Sequence, residues 1–194
     1  MKIQTLNALA DVELLSPLKN FSECMEYFKI FGFDSPRLDL DLRELEKIFY
    51  KLSMQTHPDL NNPHLNNSNT NEKSAELNLA YKTLRDPWVR ALYYLGPETL
   101  SESKKVPANL ANMYFEMQDA EDTITLHCFH NQLIAAKEAR LQKLNELFRK
   151  IDAEKTPEVE IELKELVLEN TYANSMLRDL DSRIEKVSSP EKAS

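Results

Sequence analysis

Only two glycines, Gly32 and Gly96, occur in the 194 residues, and this scarcity constrains the fold more than any other feature. Tight β-hairpin turns need residues that adopt positive φ, and a phosphate-cradling loop needs several glycines in one stretch. Two isolated glycines supply neither, so the expectation is an all-α protein with glycine kept for helix ends. The length suits one or two domains, and a composition shift over residues 97–106 favours two. Lysine and arginine number 24 against 32 aspartates and glutamates, a formal charge of -8. Such a field repels nucleic-acid backbones and anionic membranes. Cys24 and Cys128 have no thiol neighbour in sequence. They are therefore expected as reduced, mostly buried thiols rather than as a zinc site or disulfide. No run approaches the roughly eighteen apolar residues of a membrane span, and Asp11 and Glu13 do not suit a targeting peptide. A soluble cytoplasmic protein is expected.

Apolar spacing places the helices. Residues 1–22 hold scattered leucines broken by Pro17 and read as a leader, frayed or briefly helical. A short helix from Ser22 through Cys24-Met25-Glu26-Tyr27-Phe28-Lys29-Ile30-Phe31 stops at Gly32. The next, capped by Asp39 or Asp41, sets Leu42, Leu45, Ile48, Phe49 and Leu52 on one buried stripe. Arg43, Lys47 and Lys51 recur every fourth residue on a solvent face, where they can pair with Glu44 and Glu46 or offer a basic strip to an acidic partner. Pro58 ends this helix, and Asn61 to Thr70 is turn chemistry. A third helix, capped near Thr70 or Asn71, is expected to bury Ala75, Leu77, Ala80, Tyr81 and Leu84 before Asp86-Pro87 breaks it. It folds back on the second as an αα-hairpin, with the first short helix across their shared groove. Pro87 opens one more run, stopped by Gly96-Pro97.

After the connection at 97–106, three further helices are expected. One covers about 107–121, with Leu110, Met113, Met117 and Ala120 as its apolar stripe and Tyr114 and Phe115 partly exposed. The second repeats Leu126, Phe129, Leu133, Ala136, Leu141, Leu144, Phe148 and Ile151. The last, with Thr156 as cap and Pro157 at its first position, carries Val159, Leu163, Leu166, Ala173, Leu177, Leu180, Ile184 and Val187 toward a common core. Residues 188–194 form a polar tail, expected to be disordered.

The tip of the hairpin carries Gln55-Thr56-His57-Pro58-Asp59-Leu60. His57-Pro58-Asp59 is the tripeptide with which J-domain co-chaperones trigger ATP hydrolysis in chaperones of the DnaK and HscA class. Its context agrees over a longer span. Tyr27-Phe28-Lys29-Ile30-Phe31-Gly32-Phe33 resembles the Tyr-Phe-x-Leu-Phe-Gly-Leu signature of the HscB family, the iron–sulfur-assembly branch of J-type co-chaperones. Leu77-Asn78-Leu79-Ala80-Tyr81-Lys82-Thr83-Leu84-Arg85-Asp86-Pro87, continued by Arg90-Ala91-Leu92-Tyr93-Tyr94-Leu95, is similar to that family's third helix and exit. General J-proteins continue into a glycine and phenylalanine-rich linker or cysteine repeats, whereas here a helical lobe follows.

The resemblance implies a J-domain over 23–96 and a linker over 97–106. Residues 107–187 then form a three-helix domain that docks an iron–sulfur scaffold of the IscU type. It implies no enzyme activity, cofactor or metal. His57, Pro58 and Asp59, with Arg43, Lys47 and Lys51, would meet the chaperone. The scaffold-docking pattern falls on Tyr114-Phe115-Glu116-Met117-Gln118-Asp119, giving Tyr114, Phe115, Gln118, Asp119 and Asp122, or Glu121 in the alternative register, as contacts. Two departures stand out: Leu60 replaces the usual lysine after the tripeptide, and Thr56 an aromatic before it. Alternatives are a J-domain serving a different client, and an all-helical metal-dependent hydrolase built on His57, Asp59 and His64, for which His127 and His130 supply no second cluster of motif spacing.

Overall fold

The computed structural model describes residues 25–56, 68–96, 99–100 and 107–188. The described residues form an all-α fold with seven helices: α1 (Glu26–Ile30), α2 (Leu42–Thr56), α3 (Ser68–Arg85), α4 (Pro87–Leu95), α5 (Ala108–Asp119), α6 (Thr123–Ala153) and α7 (Pro157–Ser188). No described helix is long and apolar enough to cross a membrane. The leader, the tail beyond Ser188, and Cys24 lie outside the described residues.

Helix ends follow local chemistry. Gly32 takes φ 81° after α1, so that its N–H reaches the Lys29 carbonyl at 2.9 Å and the Phe33 N–H reaches that of Phe28 at 3.0 Å. This paired cap needs a left-handed residue, which glycine adopts without strain. Asp41, and not Asp39, caps α2: its Oδ1 accepts from the Arg43 N–H at 2.9 Å and the Glu44 N–H at 3.4 Å. Asp86 caps α4 through the N–H groups of Trp88 (2.8 Å) and Val89 (3.0 Å), and Pro87 occupies the first helical position where no N–H is needed. Thr156 accepts from the Val159 N–H at 3.4 Å and starts α7 as its position before Pro157 predicts.

α2 packs on α3, α1 lies against α3, and Phe49 stacks on Tyr81 with ring centroids 4.1 Å apart. Tyr27 stacks on Tyr93 at 4.7 Å, and the Tyr93 hydroxyl accepts from the Tyr27 N–H. Phe28, Phe31, Leu38, Leu45, Leu77, Ala80 and Leu84 are buried around them. Some expected core positions are not. Ala75 is exposed, because at about 100° per residue it sits half a circle from Leu84. Leu42 is exposed at the first residue of α2, beyond the reach of α3 packing, and Val187 is exposed in the last turn of α7. α3 also starts earlier than Thr70, at Ser68. Cys128 is exposed, on the outer face of α6.

α6 and α7 pack along one another as two long helices of 31 and 32 residues. They serve two cores. Leu144, Leu147, Phe148, Ile151, Leu163, Leu166 and Val167, at one end of the pair, join the α1–α4 residues in one continuous cluster. Leu126, Leu133, Ala173, Met176, Leu177 and Leu180, at the other end, enclose Leu110, Met117 and Ala120 of the α5 segment. Within the expected connection, Thr99 and Leu100 are helical; Thr99 is buried and Leu100 packs against the first cluster.

Polar contacts tie α1–α4 to the end of the long pair. Asp152 accepts from the N–H groups of Leu38 (2.9 Å) and Asp39 (2.7 Å). Arg90 is 4% exposed; one guanidinium nitrogen donates to the Leu84 carbonyl, and the planar group lies 5.1 Å from the Phe148 ring centroid. Burial pushes its pKa down to about 10, against the pull of Asp86, Asp152 and Asp39, so it remains a cation at neutral pH. The Tyr94 hydroxyl donates to Glu160 at 2.7 Å, Glu160 pairs with Lys155 at 2.8 Å, and Lys155 sits 5.1 Å from the Tyr94 ring centroid.

Candidate functional site

The tripeptide His57, Pro58 and Asp59, with Leu60 and His64, lies outside the described residues. The helix that leads to it is described. Arg43, Lys47 and Lys51 are all exposed on α2, and among the described residues none of them makes an ion pair. The expected partners Glu44 and Glu46 leave them free, as exposed long side chains often do, since pairing in water gains little. Beside these cations lie two exposed apolar residues that charge spacing alone did not single out: Tyr50, 57% exposed, and Met54, 66% exposed. Tyr50 follows Arg43 by seven residues and Met54 follows Lys47 by seven, which returns each to the same face. The face is therefore a mixed basic and apolar strip along α2 rather than a purely charged one. Its signal in the sequence was two apolar residues out of phase with the buried stripe.

A second surface lies on α5. Leu110 and Met117 are buried, Met113 and Tyr114 half-buried, and Phe115 57% exposed, the division that the helical stripe predicts. The rings of Tyr114 and Phe115 meet edge to face at 6.0 Å. Gln118 donates to Asp179 of α7 at 3.2 Å, whereas Asp119 and Glu121 are exposed. Asp122 has an internal role as well. Its carboxylate caps α6 by accepting from Thr125 at 2.8 Å, and these hydrogen bonds hold its pKa below the usual carboxylate value. Thus Tyr114, Phe115, Gln118, Asp119 and Asp122 are gathered on and just after one helix, with two of the five committed to neighbouring elements.

Among the described residues no group of three or more metal-ligating side chains converges. His130 on α6 lies 3.2 Å from Asp181 on α7, and His127 is exposed.

The family model for the DnaJ domain matches residues 26–93, which span α1 through most of α4. A co-chaperone protein HscB from Buchnera aphidicola is 33% identical over 129 residues, covering 61% of this chain and 71% of that relative. The chain belongs to the HscB family of co-chaperones. A chaperone protein DnaJ 2 from Streptomyces avermitilis is 35% identical over 78 residues, 40% of this chain but only 19% of its own length, so that likeness stops with the J-domain. Chaperone HscB from Vibrio cholerae has the same fold, with a TM-score of 0.54 over 83% of this chain and 98% of its own, at 18% identity. The HscB likeness thus extends past α4 into the helical lobe.

Proposed function

We propose that this co-chaperone stimulates ATP hydrolysis by an HscA/DnaK-class chaperone and delivers to it an iron–sulfur scaffold protein of the IscU type. Residues 23–96 would act on the chaperone and residues 107–187 on the scaffold, with 97–106 between them. The carrying observation is the presence of two exposed surfaces of different chemistry: the basic and apolar strip on α2, and the aromatic and acidic face of α5. α5 rests on one end of the long helix pair, and α2 belongs to the core that the other end joins.

In this reading the J-domain supplies no group to the nucleotide. Its tip shifts the chaperone toward the hydrolysis-competent state, which requires only that it bind that state more tightly. Arg43, Lys47 and Lys51 steer α2 onto an acidic surface, with Tyr50 and Met54 adding apolar contact. His57 and Asp59 provide directed hydrogen bonds and Pro58 fixes the turn. Holding chaperone and scaffold on one frame raises the local concentration of client at the chaperone.

The test is the steady-state ATPase rate of an HscA-class chaperone with this protein, with and without the scaffold. Synergy among all three is expected, and added salt should weaken the stimulation through the cationic strip. A His57→Gln variant that stimulated normally would sink the tip assignment. Stimulation indifferent to scaffold would keep the J-domain role and favour a different client.

A further inference from the structure

α5 has few means of its own to secure its ends: a single backbone bond, Ala120 N–H to the Met117 carbonyl at 3.3 Å, closes its C-terminus. It is a 12-residue helix whose N-cap position is Pro107, with no side-chain cap, and its last turn contains no basic residue. A helix of this length is marginal without tertiary support. Its apolar seat is small, since Leu110 and Met117 are its only fully buried side chains. Yet the C-terminal turn of α5 carries Gln118 and Asp119 and sets the direction of Phe115.

A side-chain cap comes from α7. Arg183 donates from one guanidinium nitrogen to the Met117 carbonyl at 2.5 Å and from the other to the Ala120 carbonyl. These carbonyls belong to the final turn and C-cap of α5, where helix geometry leaves acceptors short of donors; the Met117 carbonyl otherwise has the long bond from Ala120 N–H. A guanidinium suits them twice over: its planar fork engages both at once, and its charge sits at the negative end of the helix dipole. One turn earlier on α7, Asp179 accepts from Gln118, so residues 179 and 183 grip the same end of α5.

We infer that Arg183 is the positioning residue of the scaffold-docking face: it touches none of the scaffold, and holds the α5 C-terminal turn in the orientation that presents Phe115 and Asp119. This rests on the reading of α5 as the docking helix. It further assigns the control of scaffold affinity to a residue more than 60 positions away, on α7.

The experiment uses the full chain with Arg183→Met, Arg183→Lys and Phe115→Ala, titrated with an IscU-type scaffold. Amide exchange of α5 is followed in the free chain, and chaperone ATPase stimulation is measured at rising scaffold concentration. Losing two charge-assisted hydrogen bonds should weaken scaffold binding about tenfold in Arg183→Met. Arg183→Lys, which keeps the charge and can reach one carbonyl, should recover most of that loss. Exchange should accelerate in α5 and not in α2 or α3, and saturating scaffold should restore the wild-type ATPase plateau, because the contact face is displaced rather than removed. Arg183→Met with wild-type affinity beside a weakened Phe115→Ala would overturn the inference and leave the docking reading in place. Should the wild-type chain itself fail to bind scaffold, the docking reading falls and this inference with it. Exchange then reports only whether Arg183 secures α5.

Discussion

The two hydrophobic cores differ in what holds them together. The first draws on α1, α2, α3 and α4 and on the adjoining ends of α6 and α7, with Asp152, Arg90 and the Tyr94–Glu160–Lys155 group tying the parts. The second has one short helix resting on the far ends of the same pair, with the Arg183 cap and the Gln118–Asp179 hydrogen bond as its polar ties. The contrast shows that α6 and α7 are not simply the body of a second lobe. One end is an integral wall of the core shared with the J-domain, and the other is a platform for α5. α1–α4 are thereby fixed to the frame, while α5 rests on it through a smaller contact.

The largest expected effect tests the shared core. Phe148 is fully buried under Arg90, and Phe148→Ala should destabilise the protein by about 3–5 kcal/mol. Because that core contains both α4 and the long pair, the fluorescence of Trp88 and the far-ultraviolet helical signal should lose stability together in urea. Separate transitions would break the comparison, showing that α1–α4 stand independently of the ring they pack on. Next comes Met117→Ala, in the second core, where an emptied site under α5 should cost about 2–4 kcal/mol of local stability. Amide exchange should rise in α5 while α1–α4 remain protected. Equal acceleration throughout would mean that the platform and the wall unfold as one unit.

The smallest effect is a pH dependence at the junction. Burial, and then the hydrogen bond to Glu160, push the Tyr94 hydroxyl up to about 12. The folded state therefore holds this proton more tightly than the unfolded chain, whose tyrosine titrates near 10. Stability from this group is fully present below about pH 10 and is lost as pH rises toward 12. Tyr94→Phe should lack that loss, a difference on the order of 1 kcal/mol between the two proteins, measured by urea titration at pH 9 and pH 11. Parallel pH profiles for the two proteins would remove Tyr94 from the junction.

Much of this was legible in the residues. Gly32, Asp86-Pro87 and Thr156-Pro157 mark helix ends because each acts on backbone groups within a few positions of itself. Apolar spacing separated buried Met117 from exposed Phe115, since a helix converts spacing directly into direction. Ala75 and Leu42 escaped that logic. Alanine carries little directional signal, and Leu42 begins its helix where no partner covers it. The family pattern singles out Asp122 only as an expected docking carboxylate, while its capping of α6 required knowing where that helix begins.

By itself the sequence determined an all-helical chain, the order of its helices, their local caps, and the run of motifs that places it with J-type co-chaperones, because all of these depend on neighbours close along the chain. Only the tertiary structure decided that Asp152 would cap the backbone of Leu38 and Asp39, that Arg90 would be buried against Phe148, and that Arg183 would close the end of α5. Each joins groups more than fifty residues apart, and any arginine or aspartate on an amphipathic helix reads locally as a solvated charge. Which of them is drawn into such a contact is settled by the carbonyl or N–H groups that helix packing brings within reach.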